Sequence, residues 1–443
     1  MKNVVTDIHP DICVGCGACV GACPSHHLAI EYNENNLLRV KELDNNCSDR
    51  CNMCLSVCPF SNESRNEDTL SHNLYADVPS ISRREECGYY LNSYVGYHPS
   101  LERRMDSASG GLTTYVLEHL LESHQVDAAM VVGHREGDKP YYTFTLCRNV
   151  EEVRQCTRSA YYAVHAGDAL RELVADKQLK SVVIVALPCL SKAIRNAWME
   201  NAILRRKVKY IIGLVCGQQK THNFATFLGK KSGIDNLQGI DFRTKKIGRP
   251  NGDYGVRLKG LEKENEITFS DYAKDWSFKL FTVQACNYCD DVFAETADMV
   301  VMDAWLPEYG HSDKGENLII TRNQELDAIV GGIPEIKTID VSRVIQSQAS
   351  VVQNKRSAIV IALQQLTSRG IDLHKREALY SKPSRWQRPL LKTKYKISIS
   401  SDRMWHESKE NLSAFYKKIR KHKIALYWGL LLNKIYQIVW KKA

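Results

Sequence analysis

Eight cysteines fall within residues 13–58 in two runs, Cys13-x-x-Cys16-x-x-Cys19-x-x-x-Cys23-Pro24 and Cys47-x-x-x-Cys51-x-x-Cys54-x-x-x-Cys58-Pro59. This is the spacing of a bacterial-type ferredoxin module folded around two 4Fe-4S clusters. A loop closed every three residues wraps three thiolates around one corner of a cube, and the fourth comes from the other run. Cys13, Cys16, Cys19 and Cys58 are therefore expected to hold one cluster, and Cys47, Cys51, Cys54 and Cys23 the second. Zinc ribbons are the structural alternative, but zinc sites seldom use four cysteines in one tight run followed by proline. The second run opens with three intervening residues, Ser48, Asp49 and Arg50, instead of two, a loosening compatible with ligation. Electrons delivered singly are the chemistry such a module implies.

The module takes only the first sixty or so of 443 residues, leaving room for one or two further domains. Fifteen cysteines with this spacing point to a reducing compartment, where thiols serve as ligands and not as disulfides. The N-terminus carries no apolar signal segment, and no apolar run approaches the ~18 residues needed to span a bilayer. A cytoplasmic location is expected. The net charge of +9 is unevenly distributed. Residues 381–443 hold 16 Lys and Arg against three Asp and Glu, a surplus of 13, so the other 380 residues carry −4. The basic character belongs to the tail, and a nucleic-acid partner for the whole chain is not expected.

Residues 63–86 are polar and read as a connecting segment. From about 87 the pattern alternates helix and strand. Leu112, Val116, Leu117, Leu120 and Leu121 recur at helical spacing, residues 128–133 read as a buried strand, and 166–175 as a helix. The apolar run Val182–Leu187 ends at Pro188-Cys189, a helix follows over 191–201, and a second strand, Tyr210–Val215, ends at Cys216-Gly217. A βαβ unit makes these strands parallel and brings both cysteines to one carboxyl edge, where open α/β sheets place ligands. With Cys286-Asn287-Tyr288-Cys289 the thiol count reaches four. On chemistry alone this set suits a third 4Fe-4S cluster, a zinc ion or a redox dithiol. Cys87, Cys147 and Cys156 lack such spacing and read as incidental thiols, while His26 and His27 read as surface residues of the ferredoxin loop.

Several segments, in order, resemble the coenzyme F-420 hydrogenase/dehydrogenase β-subunit family. They are Ser109-Gly110-Gly111, Pro188-Cys189, Leu214-Val215-Cys216-Gly217, Phe242-Arg243-Thr244-Lys245, Cys286-x-x-Cys289, Ala297-Asp298-Met299-Val300-Val301-Met302-Asp303-Ala304-Trp305 and Asp313-Lys314-Gly315. The resemblance covers residues 87–325. It implies an iron–sulfur flavoprotein oxidoreductase with a third cluster on Cys189, Cys216, Cys286 and Cys289, and a bound FAD. Some bacterial relatives are encoded among polysaccharide-assembly enzymes, which implies a small-molecule or glycan-precursor substrate. The chain departs from the family pattern at Ala160, where relatives are often basic, at Ala186, and at Leu306 after Trp305. These departures bear on the hydride partner more than on the flavin.

Ser109, Gly110 and Gly111 open a helix and are candidates to cradle the FAD pyrophosphate, the alternative being an ordinary serine-capped helix start. Arg243 and Lys245 are candidates for phosphate or a substrate carboxylate, or else line a solvated strand edge. The fold class expected is a multidomain α+β and α/β chain. It comprises a ferredoxin-like module at 1–62, the connection at 63–86, a mixed α/β flavin and iron–sulfur domain at 87–380, and a basic helical tail at 381–443. An electron-carrier protein or reduced cofactor is the expected partner. The other reading is a non-catalytic electron-transfer subunit of a larger complex. In the tail, Ile424, Trp428, Leu431, Ile435 and Ile438 form a stripe at helical spacing after the basic run 417–423, with Lys434, Gln437 and Lys441 elsewhere and Trp440 beyond. A helix docked on the body or on a partner is the leading reading; peripheral contact with the inner membrane is the other.

Overall fold

In the computed structural model, residues 2–44, 47–48, 50–135, 141–376 and 380–439 are described; Asp49, Trp440 and Lys441 lie outside them. The body is built on an eight-stranded mixed sheet. Its strands run in the order Ile336–Thr338, Ser93–Gly96, Asn317–Thr321, Met299–Asp303, Val208–Leu214, Val182–Ala186, Ala128–His134 and Tyr142–Cys147. The central four, from Met299–Asp303 to Ala128–His134, are mutually parallel, and the outer strands pair antiparallel.

Alternation along these strands divides two cores. Val182, Ile184 and Ala186 face one apolar cluster together with Leu170, Leu190 and Ile194. Val183, Ile212 and Val301 face the other, with Leu112, Val116 and Leu326. A sheet covered on both faces needs continuous apolar strands, which is what 182–186 supplies. The expected βαβ unit is present: strand Val182–Ala186, helix Pro188–Glu200, then strand Val208–Leu214 in parallel register. Pro188 sits in the first helical turn, where its missing N–H costs nothing.

A three-stranded antiparallel sheet, Leu237–Thr244, Gly255–Gly260 and Glu264–Thr268, stands apart from the main one. The connecting segment carries structure of its own. Asn66 caps a helix, Glu67–Tyr75, whose buried Tyr75 donates to the Thr296 carbonyl at 3.1 Å. The basic tail is two helices, Arg388–Glu407 and Leu412–Val439. Leu390, Ile397, Trp405, Phe415, Ile419 and Leu426 join one apolar cluster with Phe224, Phe227 and Phe281 of the body. No helix among the described residues is long and apolar enough to cross a membrane.

Candidate redox site and buried arginine

In the N-terminal module Gly15 and Gly17 take positive φ (70° and 78°), letting the first cysteine run turn tightly enough to point its thiols inward. Cys19 lies in the short helix Ala18–Ala22 and Cys54 in its counterpart Met53–Val57. The buried Cys19 thiol faces Cys16, Cys58 and Cys13, and across the module Cys54. Burial pushes Cys16 up to about 12 and Cys54 up to about 11, and the facing thiols add to it. Thiolates so placed require a compensating cationic group. Cys23, Cys47, Cys51 and Cys54 together line a cavity of about 120 Å³. The structure thus brings the two runs together crosswise. His27, read as a surface residue, is instead 1 % exposed and hydrogen-bonded to Asp44 at 2.5 Å on the wall of that cavity. The strand Leu28–Tyr32 that follows draws it inward.

The second group of thiols sits at the carboxyl edge of the parallel strands. Cys189 is in the first turn of Pro188–Glu200, Cys216 follows Val208–Leu214, and Cys286 lies in the 3-10 turn Gln284–Tyr288 with Cys289 just after it. Cys189 is deeply buried, which raises its pKa well above the ordinary thiol value. It faces Cys16 of the N-terminal module as well as Cys289, Cys216 and Cys286. All four cysteines keep some accessible surface despite their depth, as a site with room for a group must. Two of these sulfurs accept hydrogen bonds, Cys286 from the Gln219 N–H at 3.3 Å and Cys289 from Lys355 Nζ at 3.5 Å. Lys355 projects from the long helix Val341–Thr367. Burial opposes its charge, but the facing Cys289, Cys216 and Cys286 thiols hold its pKa above the usual lysine value. Among the described residues no three Cys, His, Asp or Glu side chains converge as the ligands of one ion must. A cube spreads its ligands more widely than a single zinc does.

Close backbone contact joins module and body. The Ala166 N–H donates to the Cys16 carbonyl at 2.8 Å, and a Cβ on Gly17 would lie 2.6 Å from Gly167 N. A Cβ on Gly21 would meet Leu170 Cβ at 2.4 Å. These small residues let Ala18–Ala22 settle directly on the helix Gly167–Ala175.

Near Cys216 lies a cluster of side chains built around Arg243. A β-bulge between Phe242 and Thr244 gives Arg243 a φ of 63° and turns its side chain inward, where it is 1 % exposed. Its Nε donates to the Ala108 carbonyl at 3.0 Å and its Nη2 to Asp303 Oδ1 at 2.5 Å, at the end of strand Met299–Asp303. The guanidinium lies 3.9 Å over the Tyr254 ring and 5.7 Å from that of Trp305, and Nη1 is buried with no acceptor. The half-buried Tyr161 phenol lies within electrostatic reach of Arg243, Tyr254, Asp303 and Cys216, and burial pushes its pKa up.

The other expected contacts are gathered here but engaged within the chain. Lys245 Nζ donates to the carbonyls of Arg104 (2.5 Å), Lys314 (2.7 Å) and Ser109. Ser109 Oγ donates to the Glu316 carbonyl at 2.8 Å, and the first N–H of helix Leu112–Glu122 goes to Asn317 Oδ1 at 3.1 Å. Gly110 is closely packed, since a Cβ there would sit 2.7 Å from Asn317 N. Gly111 takes a φ of 85° at the helix cap. Lys355, Gln219 and Tyr254 were not singled out from the sequence; none lies in a motif that names its role. Cys147 and Cys156 lie 3.7 Å apart, outside all three thiol sets.

Residues 94–171 and 179–346 match the N-terminal and C-terminal parts of the coenzyme F420 hydrogenase/dehydrogenase β subunit, together over half the chain. The chain belongs to that family. Residues 9–62 match the 4Fe-4S dicluster domain, so this β-subunit relative carries an iron–sulfur module at its N-terminus. Two uncharacterized proteins of Methanocaldococcus jannaschii resemble it. One is 26% identical over 249 residues, covering 55% of this chain and 85% of the relative; the other is 22% identical over 330 residues, covering 70% and 84%. A ferredoxin of Pyrobaculum islandicum is 44% identical over 58 residues, 13% of this chain and 48% of the ferredoxin. In fold, this family member resembles a chain of the F420-reducing [NiFe] hydrogenase complex from Methanosarcina barkeri. The TM-score is 0.50 at 15% identity, over 68% of this chain and all of that one.

Proposed function

We propose that this β-subunit relative is an electron-relay oxidoreductase that links a carrier protein or reduced deazaflavin to an organic substrate. Cys13, Cys16, Cys19 and Cys58 would hold one 4Fe-4S cluster, and Cys23, Cys47, Cys51 and Cys54 a second. Cys189, Cys216, Cys286 and Cys289 would hold a third, with FAD beside Arg243. When bound, the clusters supply one-electron steps and the flavin converts them to hydride transfer.

The chain's own residues do the positioning. Ala166 fixes the Cys16 backbone against the body. The Gln219 N–H and Lys355 Nζ donate to Cys286 and Cys289, which favours the more negative, reduced state of whatever those thiolates hold. Tyr161 lies within electrostatic reach of both Cys216 and Arg243. Arg243, oriented by Asp303, keeps Nη1 for an anionic group such as a flavin phosphate or a substrate carboxylate. Ser109, Gly110, Gly111 and Lys245 form the wall behind it. The glycan-precursor class of substrate rests on the family resemblance.

One observation carries the reading: Cys189 lies within electrostatic reach of Cys16 of the N-terminal module and of its own three partners, and Cys16, Cys189, Cys286 and Cys289 pack against one apolar cluster. Anaerobic purification followed by iron, zinc and flavin analysis tests it. About 12 Fe per chain is expected, falling to about 8 in Cys189→Ala, with FAD retained near one per chain. Zinc in place of iron, or no flavin after reconstitution with FAD, would sink it. Turnover with an artificial donor in the absence of any partner separates a substrate-reducing enzyme from a relay subunit.

A further inference from the structure

The C-terminal helix Leu412–Val439 presents two apolar stripes, and the body uses one. Phe415, Ile419 and Leu426 are fully buried, and Gly429 lets the helix approach so closely that a Cβ there would lie 2.8 Å from Leu390 Cα. The opposite stripe is Ile424, Tyr427, Trp428, Leu431, Ile435 and Ile438, all 42–63 % exposed. At helical spacing these six fall on one face; Tyr427, at its border, sets its ring edge-on to Phe278 of the body at 5.8 Å, and the other five point away from the protein. The helix docks on the body as expected, but by its other face.

Upstream, Lys417, Arg420 and Lys421 continue the exposed stripe by steps of three and four residues. All three are exposed. The chain has no Asp or Glu after Glu410. The outward face is thus cationic at its start and mostly apolar beyond, with exposed Lys434 at its border.

We propose that this face lies on an anionic membrane surface, as a peripheral anchor that does not span the bilayer. The charge pattern selects this occupant. Two copies meeting along the stripe would set cations against cations or cations against aliphatic side chains. A bilayer with anionic headgroups offers phosphate to Lys417, Arg420 and Lys421, and hydrocarbon to the apolar residues a few ångströms deeper. Trp428, an apolar ring with a polar tip, suits the boundary between the two. The helix is too polar to cross. It packs along Arg388–Glu407, whose Ser398 Oγ accepts from Asn287, two residues before Cys289. Anchoring would therefore hold the inner cysteine set close to the membrane.

Vesicle flotation with the full-length, anaerobically purified protein tests this. The wild type is expected to float with phosphatidylcholine vesicles containing phosphatidylglycerol at low salt, and to be released as salt rises. Trp428→Glu with Leu431→Glu should lower the bound fraction at least about tenfold. Lys417→Gln with Arg420→Gln and Lys421→Gln should abolish the preference for phosphatidylglycerol. Iron content and circular dichroism report whether each variant is folded; should the acidic pair fail to fold, the glutamine triple variant decides alone. The proposal is overturned if the wild type stays with the soluble fraction, if pure phosphatidylcholine binds equally well, or if either folded variant floats like the wild type. A dimer in sedimentation that the acidic pair dissolves would also overturn it, in favour of a second copy on this face.

Discussion

The outer thiol set, Cys23, Cys47, Cys51 and Cys54, and the inner set, Cys189, Cys216, Cys286 and Cys289, have the same chemistry in opposite settings. The outer four sit on loops and one short helix around a cavity of about 120 Å³; Cys54 is buried and the other three keep some accessible surface, as all four of the inner set do. In the inner set Cys189 and Cys216 follow the ends of two parallel strands, and Cys286 and Cys289 belong to the 3-10 turn Gln284–Tyr288 and the residue after it; burial pushes Cys216 up to about 12. Two inner sulfurs accept hydrogen bonds from Gln219 and Lys355. Under the function proposed above, the difference separates two tasks. A group that exchanges electrons with a visiting protein must lie near the surface, and loops deliver that. A group that must hold a set potential needs fixed donors and low dielectric, and strand ends deliver that.

The largest test removes the inner set. Cys289→Ala should cost about four iron atoms per chain and stop electron delivery to any flavin, while the N-terminal iron signal persists in electron paramagnetic resonance. Loss of all iron would mean that the two ends do not form independently. Next comes the junction between them. Gly17→Val forces a branched side chain into a φ of 78° and against Gly167, and should destabilise the chain by about 2 kcal/mol or more, read as a lower Tm. An unchanged Tm would show the contact to be loose. Chelator treatment under air should strip iron from the outer set several-fold faster than from the inner. Equal rates would erase the distinction between surface and interior. The smallest effect is a shift in potential. Lys355→Met should lower the midpoint of the inner group by tens of millivolts without changing iron content, because one charge-assisted donor to a ligand sulfur is lost. Potentiometric titration would show it, and Lys355→Arg should restore part of the shift.

The thiol runs were legible in the sequence because ligand spacing is local. So was the convergence of Cys189 with Cys216, since two apolar runs joined by a helix leave few topologies open. Lys355 was not legible: it lies mid-helix among Asn354, Arg356 and Ser357, and only tertiary packing aims it at Cys289. Arg243 could be named but not placed, because its direction depends on a bulge that no residue type announces. Nor does periodicity tell which of two stripes on the last helix turns inward. The paired helix Arg388–Glu407 decides that, and Gly429 against Leu390 was the one available cue. Ser109 and Lys245 resemble phosphate ligands in isolation, but nearby carbonyls take up their donors.

The hydrogen bond from Ala166 to Cys16, with glycine on both sides of the contact, has a kinetic consequence. A free ferredoxin must find its acceptor by diffusion, and its transfer rate falls with dilution and changes with ionic strength. Here the module is held permanently at a very high effective concentration, in one orientation. Its internal step should be first order, indifferent to salt and to protein concentration. Only the first capture of an electron from outside remains a collision.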